Sequence, residues 1–217
     1  MVKNTTDILQ KLGEYRLVSV VRGVKEDKAL QTAEALYRGG IRAIEITMNT
    51  SGALRMLENI KETYGDKMLV GAGTVLDPEN AVNAIQAGAD FVLSPTLSAR
   101  VIEVCSRYSR LAVPGVLTPT EILTAWEAGA QLVKVFPARV FGPKYIQDIK
   151  RPLPQVEIMP VGGVSLKNAA DFMKNGAYAL GIGSALVNPE WTERGEFEKI
   201  TQAAATFVKI VNGVTVV

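Results

Sequence analysis

LVKVFPAR, residues 132–139, is an apolar alternation interrupted by one ammonium group. In an extended chain Leu132, Lys134 and Phe136 share one face and Val133 and Val135 the other, because strand side chains alternate with a period of two. Pro137 closes the run, since proline has no N–H to offer a sheet ladder. The stretch therefore reads as a buried strand carrying a lysine. Either that lysine snorkels out at the strand's end, or it is desolvated so that its neutral amine can serve as a Schiff-base nucleophile.

Seven more β-rich runs of this kind lie along the chain: LVSVV (17–21), AIEIT (43–47), MLVGAG (68–73), FVLSP (91–95), LAVPG (111–115), EIMPV (157–161) and LGIGS (180–184). Amphipathic segments separate them and close on Gly39-Gly40, Gly88, Gly129 and Gly176. A glycine just past a helix supplies the left-handed conformation that ends it, while Asp77-Pro78, Thr118-Pro119 and Ser165 fit N-caps. The phrase "helix, Ala/Asn-Gly-Ala, apolar strand" recurs around Gly88, Gly129 and Gly176. Eight such units predict an α/β fold, a (β/α)8 TIM barrel forming one domain over residues 1–217, with an extra N-terminal helix near Asp7–Leu12 capping its bottom. An open doubly wound sheet is the alternative, but SVVRGVKED after the first strand lacks the glycine-rich dinucleotide fingerprint.

Charge and composition narrow the partners. With 24 basic and 22 acidic residues and a net charge of +2, the chain gives no electrostatic reason to bind nucleic acid or a membrane surface, so a small molecule is expected. No apolar run reaches membrane-spanning length and MVKNTTDILQ has no signal-peptide core, which suggests a cytoplasmic protein. The single cysteine, Cys105, excludes an intramolecular disulfide. The absence of histidine removes Ser-His and Cys-His nucleophile pairs and histidine-ligated metals. Chemistry falls to lysine, carboxylates, hydroxyls and backbone amides.

In a barrel the C-terminal strand ends converge on one mouth. The polar residues there are Arg22, Glu45, Thr47, Asn49, Thr74, Ser94, Lys134, Gly162-Gly163 and Ser184. Glu45, between Ile44 and Ile46, is either an ion-pair partner of Lys134 or the carboxylate that aldol chemistry needs for proton transfer. GAGTV (71–75) is read equally as tight glycine packing or as a setting in which Thr74 binds a carboxylate. PVGGVS (160–165) and GIGSALV (181–187) follow the last two strands, where barrels commonly hold phosphate on backbone N–H groups and a helix N-terminus.

EIT near residue 45, GAGTV, Ser94-Pro95, Pro114-Gly115, KVFPA, PxGG and GxGS together, in this order and over nearly the whole chain, resemble the bacterial 2-keto-3-deoxy-6-phosphogluconate and 2-keto-4-hydroxyglutarate (KDPG/KHG) aldolases. The resemblance implies a class I, metal-independent aldolase without a cofactor, generally a homotrimer. It implies Lys134 as the Schiff-base residue, Glu45 as general acid/base, and Thr74 and Pro95 at the pyruvate end. Gly162, Gly163 and Ser184 correspond to phosphate-binding positions, Phe136 to an aromatic beside the lysine, and Arg22 to an arginine ending the first strand. Two departures stand out: Asn49 replaces a frequent arginine that helps hold the substrate carboxylate, and Val161 replaces a threonine before the paired glycines. Both resemble the 2-keto-3-deoxy-6-phosphogalactonate branch. The substrate is thus expected to be a 2-keto-3-deoxy-6-phospho sugar acid, with 4-hydroxy-2-oxoglutarate as the alternative. A metal-independent sugar-phosphate isomerase and a non-catalytic phosphate-binding barrel remain the other readings.

Overall fold

The computed structural model describes residues 4–213. Helix α1 (Thr5–Tyr15) precedes strand β1 (Leu17–Val21), and strands and helices then alternate. The strands that follow are β2 (Ala43–Thr47), β3 (Leu69–Gly73), β4 (Phe91–Leu93), β5 (Leu111–Val113), β6 (Gly115–Val116), β7 (Leu132–Val135), β8 (Glu157–Pro160) and β9 (Leu180–Ile182). Between them run α2 (Glu26–Arg38), α3 (Ala53–Tyr64), α4 (Pro78–Gln86), α5 (Ala99–Arg107), α6 (Pro119–Glu127), α7 (Pro143–Lys150) and α8 (Ala169–Lys174), with α9 (Pro189–Arg194) and α10 (Phe197–Val211) at the end.

Every strand pairing is parallel, as crossover helices require. The strands form a six-stranded curled sheet, β5-β4-β3-β2-β1-β9, and a three-stranded one, β6-β7-β8. The run read as one fifth strand is divided at Pro114, which lacks the N–H to continue a ladder. Pro114 still accepts a bond from the Lys134 N–H at 2.8 Å, so the chain crosses there from one sheet to the other. On the far side Val161 bridges Gly181 in parallel.

Alternation sorts the core into two clusters. Val18, Val20, Ala43, Leu69, Phe91, Leu93, Leu111, Val113, Leu132, Met159 and Val161 pack on the inner face of the curled sheets together with Ile8 and Leu12 of α1. Their neighbours in sequence, such as Ile44, Ile46, Val70, Val92, Val133, Val135 and Ile158, pack outward against the helices. A shift of one residue in any strand would exchange the two sets, so register is tightly fixed.

The repeated helix endings have one physical form. Gly40, Gly88, Gly129 and Gly176 lie at φ between 96° and 101°, and the N–H of the following residue reaches back to a last-turn carbonyl, as in Ala89 to Ala84 and Ala130 to Ala125 at 3.0 Å. This is the Schellman closure, which satisfies carbonyls the helix leaves orphaned and turns the chain into the next strand. The N-caps expected at Asp77 and Thr118 are formed, with their side chains accepting from the Asn80 and Glu121 N–H groups. Ser165 is different. It lies in the loop before α8, donating its N–H to the Asn168 side chain at 2.8 Å, and the helix begins only after Asn168.

Candidate active site

Lys134 and Glu45 are both buried, with relative exposures of 2% and 0%. Glu45 alternates with inward Ala43 on β2, and Lys134 with inward Leu132 on β7, so both belong to the inner face. Among the described residues they make no salt bridge with each other. The Lys134 Nζ instead sits 5.2 Å from the centroid of the Phe136 ring, within cation–π range. Both carboxylate oxygens of Glu45 are buried and lack a hydrogen-bond partner among the described residues. A buried carboxylate without a protein partner is costly, and its shell is completed by water, a ligand or a reacting group.

The glycines of GAGTV make this arrangement possible. A Cβ on Gly73 would lie 1.5 Å from Oε1 of Glu45, and one on Gly71 would lie 2.3 Å from the Phe91 ring. Glycine packing, one of the two readings of this segment, is therefore packing around the site's own carboxylate. Gly115 has a similar task, since a Cβ there would lie 2.2 Å from the Pro95 carbonyl carbon. The Ser94-Pro95 turn can thus lie against the start of β6, with the buried Ser94 Oγ donating to the Thr96 carbonyl at 2.6 Å.

At the ends of β1–β3, Arg22 gathers two other expected residues. It donates to Thr74 Oγ1 at 3.1 Å and, more weakly, to Asn49 Oδ1 at 3.5 Å. Thr74 holds φ at 57°, a left-handed conformation that is unfavourable for a β-branched residue. Backbone strain of this sort costs on the order of 1–3 kcal/mol and clusters at functional sites. Thr47 Oγ1 bonds Thr50 Oγ1 at 2.9 Å, which in turn accepts the Gly23 N–H at 3.0 Å, tying the loop after β2 to that after β1.

Arg22 also reaches a cavity of about 360 Å³, whose lining includes Phe136, Gly162, Gly163 and Ser184. The structure thus brings five of the residues expected from sequence into one hollow. Lys134, Glu45, Asn49, Thr74 and Pro95 do not line it. Arg22 links it to the Asn49–Thr74 cluster, and Phe136 links it to Lys134. Ser165, the last residue of PVGGVS, lines it as well, and so does Arg139, which carries no signal in the sequence. Arg139 ends the very stretch LVKVFPAR, but it lies beyond the strand, where alternation carries no signal.

A model of the KDPG and KHG aldolase family matches residues 8–203. The chain belongs to that family. It is accordingly an aldolase, a carbon–carbon lyase. The chain is similar to the 2-dehydro-3-deoxy-6-phosphogalactonate aldolase of Escherichia coli K12, with 37% identity over 89% of this chain and 93% of that one. Among solved structures it is similar to a native KDPGal structure, with a TM-score of 0.86 and 36% identity over 91% of this chain and 94% of that chain. It is also similar to the KDPG aldolase of Legionella pneumophila, in which pyruvate was captured as a covalent carbinolamine. There the TM-score is 0.87, with 28% identity over 94% and 98% of the two chains. These family neighbours share with the chain an α/β fold built on a parallel curled sheet. No helix among the described residues is long and apolar enough to cross a membrane.

Proposed function

We propose that the protein is a cytoplasmic class I aldolase that cleaves a 2-keto-3-deoxy-6-phospho sugar acid to pyruvate and glyceraldehyde 3-phosphate. The observation that carries this reading is a buried lysine on the same inner face as a buried carboxylate that has no hydrogen-bond partner among the described residues. In this reading the two sheets act as one closed (β/α)8 barrel with α1 across its base, a closure supported by the Pro114 crossing and the Val161–Gly181 bridge. A homotrimer completes the proposal, supported by the exposed apolar side chains of Leu76, Val140 and Phe141.

The Lys134 amine attacks the C2 carbonyl, and the carbinolamine loses water to give a protonated imine. Glu45, directly or through water, takes the proton of the C4 hydroxyl as the C3–C4 bond breaks. The bonding pair moves into the imine, forming an enamine, and the aldehyde leaves. Protonation at C3 and hydrolysis then release pyruvate and regenerate the amine. Arg22, Asn49, Thr74 and Pro95 surround the pyruvate end, with Phe136 against the lysine. Backbone N–H groups of Gly162 and Gly163, with Ser184, hold the phosphate, and this remote binding keeps the reacting bond in line. Gly162 and Gly163, at φ of 85° and 93°, allow the backbone that close approach.

The C4-galactonate epimer is the preferred substrate in this reading. Asn49 and Val161 support that preference, as does the similarity to the phosphogalactonate aldolase. Incubation with pyruvate and borohydride, followed by peptide mass mapping, tests the chemistry. One reduced pyruvyl group on Lys134, absent in Lys134→Ala, is expected. An adduct spread over surface lysines, or none, overturns the assignment. Comparing kcat/KM for the two C4 epimers and for 4-hydroxy-2-oxoglutarate then tests the substrate.

A further inference from the structure

We propose that Arg139 is a substrate-binding residue that makes this site selective for a phosphate dianion at the end of the substrate remote from the lysine. The inference rests on the aldolase reading for the identity of the substrate, but its physical basis lies in the cavity itself.

The cavity's charged lining consists of two arginines, Arg22 and Arg139, with no carboxylate. Among the described residues neither arginine forms a salt bridge. They differ in what else they hold: the Arg22 guanidinium donates to Thr74 and Asn49, whereas Arg139 makes its hydrogen bond through the main chain. The Arg139 N–H donates to the Gly162 carbonyl at 2.9 Å, and the preceding Ala138 N–H donates to the Val161 carbonyl at 2.8 Å. These two bonds fasten the short turn after β7 to the Gly162-Gly163 loop. Gly163 then lies directly on the arginine stem, since a Cβ there would fall 2.4 Å from the Arg139 Cβ.

The backbone of Arg139 is therefore held in register with the loop proposed to carry phosphate, while its guanidinium remains uncommitted. Backbone N–H groups alone bind an anion through partial charges, and the N-cap residue of α8, Asn168, spends its side chain on the Gly163 carbonyl and the Ser165 N–H, at 3.0 and 2.8 Å. A guanidinium adds a full charge and a planar fork that fits phosphate oxygens in a bidentate manner. Placed there, it favours a phosphate dianion over a neutral hydroxyl terminus.

The test uses Arg139→Gln and Arg139→Lys with two readouts. First, calorimetry measures the Kd of inorganic phosphate as a probe independent of catalysis. A charge-assisted hydrogen bond of about 1.5–3 kcal/mol corresponds to a roughly ten- to hundredfold weakening in Arg139→Gln, with partial recovery in Arg139→Lys. Second, the ratio of kcat/KM for the phosphorylated substrate to that for its unphosphorylated counterpart should fall by a comparable factor in Arg139→Gln, mainly through KM. An unchanged phosphate Kd in Arg139→Gln overturns the proposal. Failure of the wild-type protein to trap pyruvate on Lys134 would instead remove the aldolase reading and leave the phosphate measurement to decide Arg139 alone.

Discussion

The Glu45 carboxylate occupies the space that a side chain on Gly73 would fill, with Oε1 only 1.5 Å from the position of a Cβ built there. A glycine in a strand is ordinarily a weakness, so its presence at the end of β3 ties that strand's sequence to a side chain on β2. Gly73→Ala should therefore push the carboxylate out of place and lower kcat by about a hundredfold, the usual worth of a general acid/base. Overpacking should also destabilise the fold by about 1–3 kcal/mol. Steady-state kinetics and thermal unfolding check both effects, and a wild-type rate in Gly73→Ala would detach Glu45 from catalysis.

Glu45→Gln keeps the shape and removes the charge. Because neither carboxylate oxygen has a partner among the described residues, melting temperature should hold or rise while kcat falls by about a hundredfold. Lys134→Met should behave similarly in stability and lose turnover altogether, since replacing a buried polar amine by an apolar chain of similar length relieves desolvation. A marked fall in melting temperature for both variants would return the pair to a structural role.

Thr74 carries strain that a glycine would release. Thr74→Gly should leave stability equal or raise it by about 1 kcal/mol, because the left-handed backbone suits glycine and the gain exceeds its added chain entropy. Losing the hydroxyl that accepts from Arg22 should at the same time raise KM for substrate several-fold. Calorimetry beside steady-state kinetics reads the two changes; a large loss of stability with unaltered KM contradicts this account.

The helix caps give a pH signature. Backbone N–H donation from Asn80 lowers the Asp77 carboxyl below its ordinary value of 3.8, and donation from Leu117 and Thr118 lowers that of Glu121 below 4.5. A depressed folded-state value means stability present above the unfolded value and lost as pH falls through the folded one. Asp77→Ala should cost about 1 kcal/mol at neutral pH, and the deficit should shrink toward zero as pH drops well below 3.8. Unfolding of both proteins across that range tests the sign; a deficit that grows on acidification would reverse it.

Burial pushes the Cys105 thiol up to about 12. Its thiolate is scarce at neutral pH, so thiol reagents should modify it only as fast as the protein opens, and at once in denaturant. Rapid modification of the native protein would place Cys105 nearer the surface than described.

Much of this protein was determined by its sequence alone. The period of two in LVKVF and AIEIT put Lys134 and Glu45 on faces opposite their apolar neighbours, and the Gly-Ala phrases marked where helices yield to strands. Both are local signals, set by backbone geometry within a few residues. Tertiary structure decided what depended on neighbours distant in the chain. Pro114 joins the two sheets because its carbonyl takes the N–H of Lys134 from a later strand, and Gly73 is small because Glu45, 28 positions earlier, lies against it. Ser165 is a loop residue because Asn168 takes its N–H. Arg139 joins the cavity only because two main-chain bonds carry the turn after β7 onto the Gly162-Gly163 loop. Periodicity records which face a residue takes within its own element, whereas a cavity is assembled from the ends of several elements, and their meeting is set by packing between segments far apart in the chain.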